Sequence, residues 1–263
     1  MKRKKQENSN VKLAGIFIIF VLGLIILSTL FKFFLIVKSS RFDGSHSFIV
    51  NFVGERENNI VAFSPQNKSL STLIVDNPQR DSVKALEIPV DGEIAAGDFN
   101  KDKVSEALLK SVLSLGKSLK HLTILDALRL FIFSETVPAN NVNIREITSG
   151  LNDAQKATLI ALSFNDPDIY QENQSIQIIN AADVFGAGGR LAALITNIGG
   201  NVILVSTSDQ TAKNSKITYF QNESYTVKKL SNYLGIPAEK SDNRGVADVI
   251  ITVGKDVVGG SKF

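Results

Sequence analysis

Three glycines within four residues, Gly186, Gly188 and Gly189, follow the apolar run 176–179 in the stretch INAADVFGAGGR, residues 179–190. Glycines between a strand and a helix bring backbone N–H groups up to a phosphate, so nucleotide binding is the first chemistry to weigh. A dinucleotide loop needs Gly-x-Gly-x-x-Gly or Ala; counted from Gly186, the sixth position is Leu191, and the packing glycine is missing. A Walker loop needs Gly-Lys-Ser or Gly-Lys-Thr, which does not follow. The spacing therefore reads as a strand-to-helix turn, and no cofactor is expected.

Other chemistry-bearing residues are sparse. Asp98, Asn100 and Asp102 match the opening ligand positions of a calcium loop, but Lys103 replaces the required glycine and Leu109 the closing glutamate. Asp102 reads instead as a helix cap, and no metal is expected. Two histidines, His46 and His121, far apart in sequence, assemble neither a triad nor a zinc site, and there is no cysteine. Lys228, Lys229, Tyr219, Tyr225 and Tyr233 are the surface candidates for a binding face, weighed against the plainer reading of solvated edge and core.

The elements that must position these residues begin with a membrane segment. Residues 13–31 carry no charge and are dominated by Ile, Leu, Phe and Val, enough helix for the roughly 30 Å of a bilayer core. With Lys32 snorkelling, the span extends over 13–37, behind a basic tail, 1–12. The apolar run is too long for a signal peptide, and no small-x-small cleavage site follows, so the segment reads as an uncleaved anchor. Five basic residues precede the span and three follow it, which favours a cytoplasmic N-terminus and an extracytoplasmic 42–263. Of 29 basic and 26 acidic residues, eight and one fall within 1–41, so the remainder carries 21 against 25. An exterior of net charge −4 has no electrostatic footprint for nucleic acid.

After a short stalk, residues 38–47, β-rich runs at 48–53, 60–64, 70–76 and 85–90 predict a hairpin or meander. Val104, Leu108, Val112, Leu115 and Leu119 predict one amphipathic helix, 123–133 a helix buried on most sides, and 154–164 a third with Asn152 or Asp153 as N-cap. Residues 166–174, polar and proline-bearing, read as a linker between a domain at 38–165 and one at 175–263. The second shows strand 176–180, helix 188–198, strands 201–206 and 216–220, helix 223–234 and strand 246–253, a βαββαβ order with helices on one face of a single sheet. The fold class expected is α+β behind a transmembrane helix.

The run IQIINAADVFGAGGRLAALITNIGGNVILV resembles the opening of the LytR C-terminal domain, with Asn180, Gly186 and Arg190 at the family's loop asparagine, helix-start glycine and arginine. The resemblance extends over Ser175 to about Val257, with Ala181 and Asp183 replacing two loop glycines. It implies a module of membrane-anchored envelope proteins and marks Asn180, Asp183, Gly186 and Arg190 as the residues bordering a binding surface. SFIVNFVGERENNIVAFSPQNKSLSTLIVDN similarly resembles the start of the LytR, CpsA and Psr type of catalytic domain, implied to transfer glycopolymers from a lipid pyrophosphate to peptidoglycan with Mg²⁺. Asn58-Asn59 stands where that family has Ser-Asp or Thr-Asp, and Ile74-Val75-Asp76 where it has Pro-Arg-Asp, which removes an anionic metal ligand and a bidentate pyrophosphate clamp.

The expectation is a non-enzymatic, single-pass envelope protein that binds peptidoglycan, another envelope polymer or an envelope protein. The alternative is an active Mg²⁺-dependent transferase using Glu55, Arg56 and Asp76. A third reading, DNA contact, is suggested by the family's name alone.

Overall fold

The computed structural model describes residues 4–55, 57–76, 86–97, 104–148 and 150–258. Helix α1 runs over Lys4–Ser39, and its stretch Lys12–Ser39 is long and apolar enough to cross a membrane. Two hydroxyls in this stretch turn back on the backbone: Thr29 donates to Ile25 C=O (2.6 Å) and Ser39 to Leu35 C=O (2.7 Å). Such self-satisfaction is what a hydrocarbon environment requires of a hydroxyl. The expected span, 13–37, falls within this stretch.

Residues 42–263 form the body. Its first sheet comprises β1 (Phe48–Gly54), β2 (Glu57–Ser64), β3 (Ser69–Asp76), β4 (Gly92–Gly97), β5 (Leu119–Lys120) and β6 (Val142–Ile147) in the order β5-β4-β1-β2-β3-β6. β1, β2 and β3 form the expected antiparallel meander, while β4 joins β1 and β6 joins β3 in parallel. Both faces of the central strands are apolar because both are covered. Phe48, Val50, Phe52, Val61 and Phe63 pack with Leu108 and Leu130 of α2 (Val104–Leu113) and α3 (Ile124–Thr136). Ile49, Ile60, Ala62 and Leu73 face the other way, into the core shared with the second sheet.

Several expected boundaries move. Within the described part of 85–90 the chain turns at Leu86–Glu87, and the strand lies at Gly92–Gly97 instead. Pro89 cannot donate to a central ladder, whereas Gly92 sits where a Cβ would collide with the Leu122 side chain. The first helix stops at Leu113 because Leu115 and Gly116 take left-handed conformations (φ 54° and 74°), and Leu119 enters β5. α3 is less buried than expected: Asp126, Ala127 and Leu130 are inside, while Leu128 and Ile132 are exposed. The Thr123–Asp126 capping box fixes its start. The stalk ends at Arg41, since Phe42 is buried and its N–H donates to Asp126 Oδ1 (2.9 Å).

Helix α4, Asp153–Phe164, starts at the anticipated Asn152 cap, with Gln155 completing a capping box. The segment read as a linker carries α5, Pro167–Glu172: Asp166 caps it, Pro167 opens it, Asn173 closes it in a left-handed conformation, and Ile169 is buried. The proline of this polar stretch stands at a helix start.

The second sheet comprises β7 (Ser175–Asn180), β8 (Asn201–Thr207), β9 (Lys216–Tyr219), β10 (Ala238–Lys240) and β11 (Val249–Val253), ordered β10-β9-β11-β7-β8. Helix α6 (Ala187–Asn197) connects parallel β7 and β8, and α7 (Tyr225–Leu234) connects parallel β9 and β10. β11 inserts between them, parallel to β7 and antiparallel to β9. Ile176, Ile178, Val249, Ile251 and Val253 form the buried face against Leu191, Leu194, Ile195, Val227, Leu230 and Leu234. Each such side chain contributes about 1.5–3 kcal/mol on burial. The α+β class and the βαββαβ order hold, with β10 as an added short strand, and a four-residue helix α8 (Lys255–Val258) follows β11.

Candidate functional site

The loop between β7 and α6 is a rigid turn with an exposed tip. Asn180, at the end of β7, is buried; its Nδ2 donates to Val184 C=O (2.9 Å) and its Oδ1 accepts from Ala182 N–H (3.2 Å). The loop base is tied on both sides: Ala181 N–H donates to Val253 C=O (2.9 Å), and Ala212 N–H to Ala181 C=O (2.7 Å). Asp183 has φ 60° and Gly186 φ 78°, the left-handed conformation that glycine adopts without steric cost. Gly186 is the N-cap of α6 and offers no side chain to its N–H groups.

Gly188 is required for a different reason. A Cβ there would lie 3.1 Å from Val205 and 3.3 Å from the Asn180 Cβ, so the missing side chain lets helix and sheet approach. The close-packing glycine missing at Leu191 is thus found one turn earlier, at Gly188. At the tip, Val184 is 39% exposed and Phe185 fully exposed, a feature that residue types and spacing did not single out. Arg190 lies on the first turn of α6, exposed, close enough to Glu87 that its guanidinium counteracts the upward push of burial on that carboxyl. The structure therefore brings Asn180, Asp183 and Gly186 into one loop with Arg190 beside it. Asn180 acts inward on loop shape, while Asp183, Phe185 and Arg190 face solvent.

The other candidates fall elsewhere. Lys229 does not line a binding face: it is largely buried, and its Nζ donates to Asp91 Oδ2 and to Ser47 C=O, both at 3.0 Å. Tyr225 is engaged as well. Its hydroxyl donates to Asp166 Oδ2 (2.8 Å) and its ring stacks on His46 (4.3 Å between centroids), which in turn lies against Asp43. Burial raises the Asp166 carboxyl, with Tyr225 and Lys229 opposing, and burial beside Asp166 raises the Tyr225 hydroxyl. Tyr233 is buried and pushed up to about 12. Only Lys228 of this group remains an exposed cation, 3.9 Å from Glu223. Of these residues, Lys229 ties the second sheet's α7 to Ser47 and Asp91 beside the first sheet.

The positions where a transferase would hold metal and pyrophosphate are mostly interior. Asn58 and Asn59 are buried on β2, and Ile74 and Val75 are buried and apolar on β3. The Asn59 amide donates to Glu57 (3.3 Å). Glu55 is exposed between β1 and β2; Arg56, the run Asp98–Lys103 and Ala85 lie outside the described residues. Among the described residues no group of three His, Cys, Asp or Glu side chains could hold a metal.

Residues 173–256 match the family model described as LytR cell envelope-related transcriptional attenuator, the LytR C-terminal domain. The match spans β7 to β11, the stretch that resembled this family from Ser175 to about Val257. It marks the chain as related to the cell envelope. No curated protein and no solved structure matches the chain.

Proposed function

We propose that the chain is a single-pass anchored envelope protein whose body, residues 42–263, lies outside the cytoplasm and binds a cell-wall polymer or an envelope protein without catalysing transfer. The observation that carries this is the Asn180–Arg190 loop: a domain of an envelope family presents Asp183 and Phe185 on a turn locked from below by Asn180, with Arg190 beside it on the first turn of α6. Exposed loops on rigid scaffolds are where recognition residues concentrate. The apolar helix α1 supports anchoring, and the acidic balance of the exterior gives no support to nucleic acid as ligand.

The test is retention of the detergent-solubilised full chain on purified sacculi, with in-cell cross-linking in parallel. Retention, or a cross-linked envelope partner, that is lost in Phe185→Ala or Arg190→Ala while thermal stability is unchanged supports the reading. No retention and no partner sinks it. Turnover of a pyrophosphate-linked lipid with Mg²⁺ present would replace it with the transferase reading.

A further inference from the structure

The described residues form two sheets with four edges, and three are defended. β5 has two residues; β10 has three, including Glu239 and Lys240; β6 carries Arg145 and Glu146. Short strands and charges are how sheet edges are kept from pairing. The fourth edge is β8, Asn201–Thr207, seven residues with no charge and no proline. Its centre is apolar and open to solvent: Ile203, Leu204 and Val205 are 50%, 42% and 44% exposed.

We propose that β8 pairs antiparallel with β8 of a second copy of this chain, about a twofold axis between Ile203 and Leu204. The strand has the same polar and apolar order in both directions: Asn201-Val202-Ile203-Leu204-Val205-Ser206. Under the twofold, Asn201 meets Ser206, Val202 meets Val205 and Ile203 meets Leu204, so no charge opposes another and apolar residues meet apolar ones. Opposed residues of an antiparallel pair must share a face. β8 satisfies this through its bulge. Val202 and Val205 sit opposite Ile176 and Ile178, on the face toward α6, and Ile203 is the extra residue before Leu204, which sits opposite Gln177 on the other face. Two residues of a bulge facing one partner residue project to the same side, which places Ile203 with Leu204.

Helix α6 fits the same arrangement. On one flank Asn197 Nδ2 donates to Leu86 and Glu87 C=O (3.2 and 2.9 Å), and Gly188 marks the opposite side by its approach to Val205. At about 100° per residue, the flank toward β8 carries Gly189, Ala192 and Thr196, all small. Two helices each covering the outer pair of strands would lie two strand spacings apart, about 10 Å, a distance that small side chains permit. A Cβ on Gly189 meets nothing within 4 Å, so packing within one copy gives no reason for glycine inside this helix. The symmetry consumes the one open edge among the described residues and closes at two copies.

The chain lacks cysteine, so introduced thiols report cleanly. In detergent and in liposomes, oxidised Asn201→Cys/Ser206→Cys full chain is expected to run as a covalent dimer. Neither single variant should do so, because like positions lie about 16 Å apart across the axis at roughly 3.3 Å per residue. Ile203→Lys should abolish the cross-link without altering the circular dichroism. Adding Leu204→Glu should restore it, since the introduced ammonium of one copy would then face the introduced carboxylate of the other. Gly189→Leu should weaken the dimer while leaving the single copy folded. A monomeric wild type, a dimer in which the paired cysteines do not bridge, or a cross-link indifferent to Ile203→Lys would overturn the proposal.

Discussion

Lys229 and Asp91 stand 138 positions apart in the chain and 3.0 Å apart in the fold, with side chains 16% and 5% exposed. Asp91 Oδ2 also accepts from Ile49 N–H (2.9 Å), so one carboxylate ties α7 of the second sheet to β1 of the first. Removing one partner of a buried pair strands the other charge. Asp91→Ala and Lys229→Met are each expected to cost about 3–5 kcal/mol in denaturant unfolding, since the first strands the Lys229 ammonium and the second the more deeply buried Asp91 carboxylate. Equal and small losses would mean that the pair is solvated in solution.

Gly188 and Gly189, adjacent in sequence, should respond oppositely to the addition of a side chain. Gly188→Val forces a side chain against Val205 and Asn180 and should destabilise by about 1–3 kcal/mol. Gly189→Ala adds a methyl group into open space on a helix and should stabilise the single copy by up to about 1 kcal/mol. Melting temperatures of the two variants, measured on monomer, check the sign.

Asn180→Leu removes both bonds that shape the loop, leaving Val184 C=O and Ala182 N–H without these partners. A loss of about 1–3 kcal/mol is expected. Hydrogen exchange should rise at 181–187 ahead of the β7 ladder, and uniform exchange across β7 would show that the loop is not held from Asn180.

Acid should weaken the body through identifiable carboxylates. Burial pushes Glu172 up, but bonds from the Thr226 hydroxyl and N–H and from Tyr225 N–H outweigh it and hold the carboxyl below its ordinary 4.5. Ser175 holds Asp248 below 3.8, and Ser215, against burial, does the same for Asp256. Folded values below unfolded ones mean that the unfolded chain binds protons first. These groups therefore contribute stability above the unfolded values, and it is lost as pH falls through the folded ones. Glu172→Gln should flatten the slope of stability against pH below 4.5. Tyr233, pushed up to about 12, works at the other end: its contribution is present below pH 10 and lost as pH rises through the folded value.

Much of this was legible in the sequence because local rules decided it. The apolar length of α1 follows from its uncharged run, the Asn152 cap from its residue type just before the helix, and α6 from Leu191, Leu194 and Ile195 on one stripe. What failed locally failed at signals with two meanings. Asp166-Pro167 starts a helix as readily as it ends one, and Leu115 and Leu119 continue an apolar period that left-handed residues interrupt.

Sequence alone determined most of the elements, the long apolar helix and the match of residues 173–256 to the LytR C-terminal domain model, because periodicity and capping are properties of neighbours along the chain. Only the tertiary structure decided that β11 lies between β7 and β9, that Lys229 turns inward to Asp91, and that Phe185 and β8 are left facing water. Those outcomes depend on which surfaces cover which across more than a hundred residues. No local pattern encodes them, because burial is settled only when the two sheets share one core.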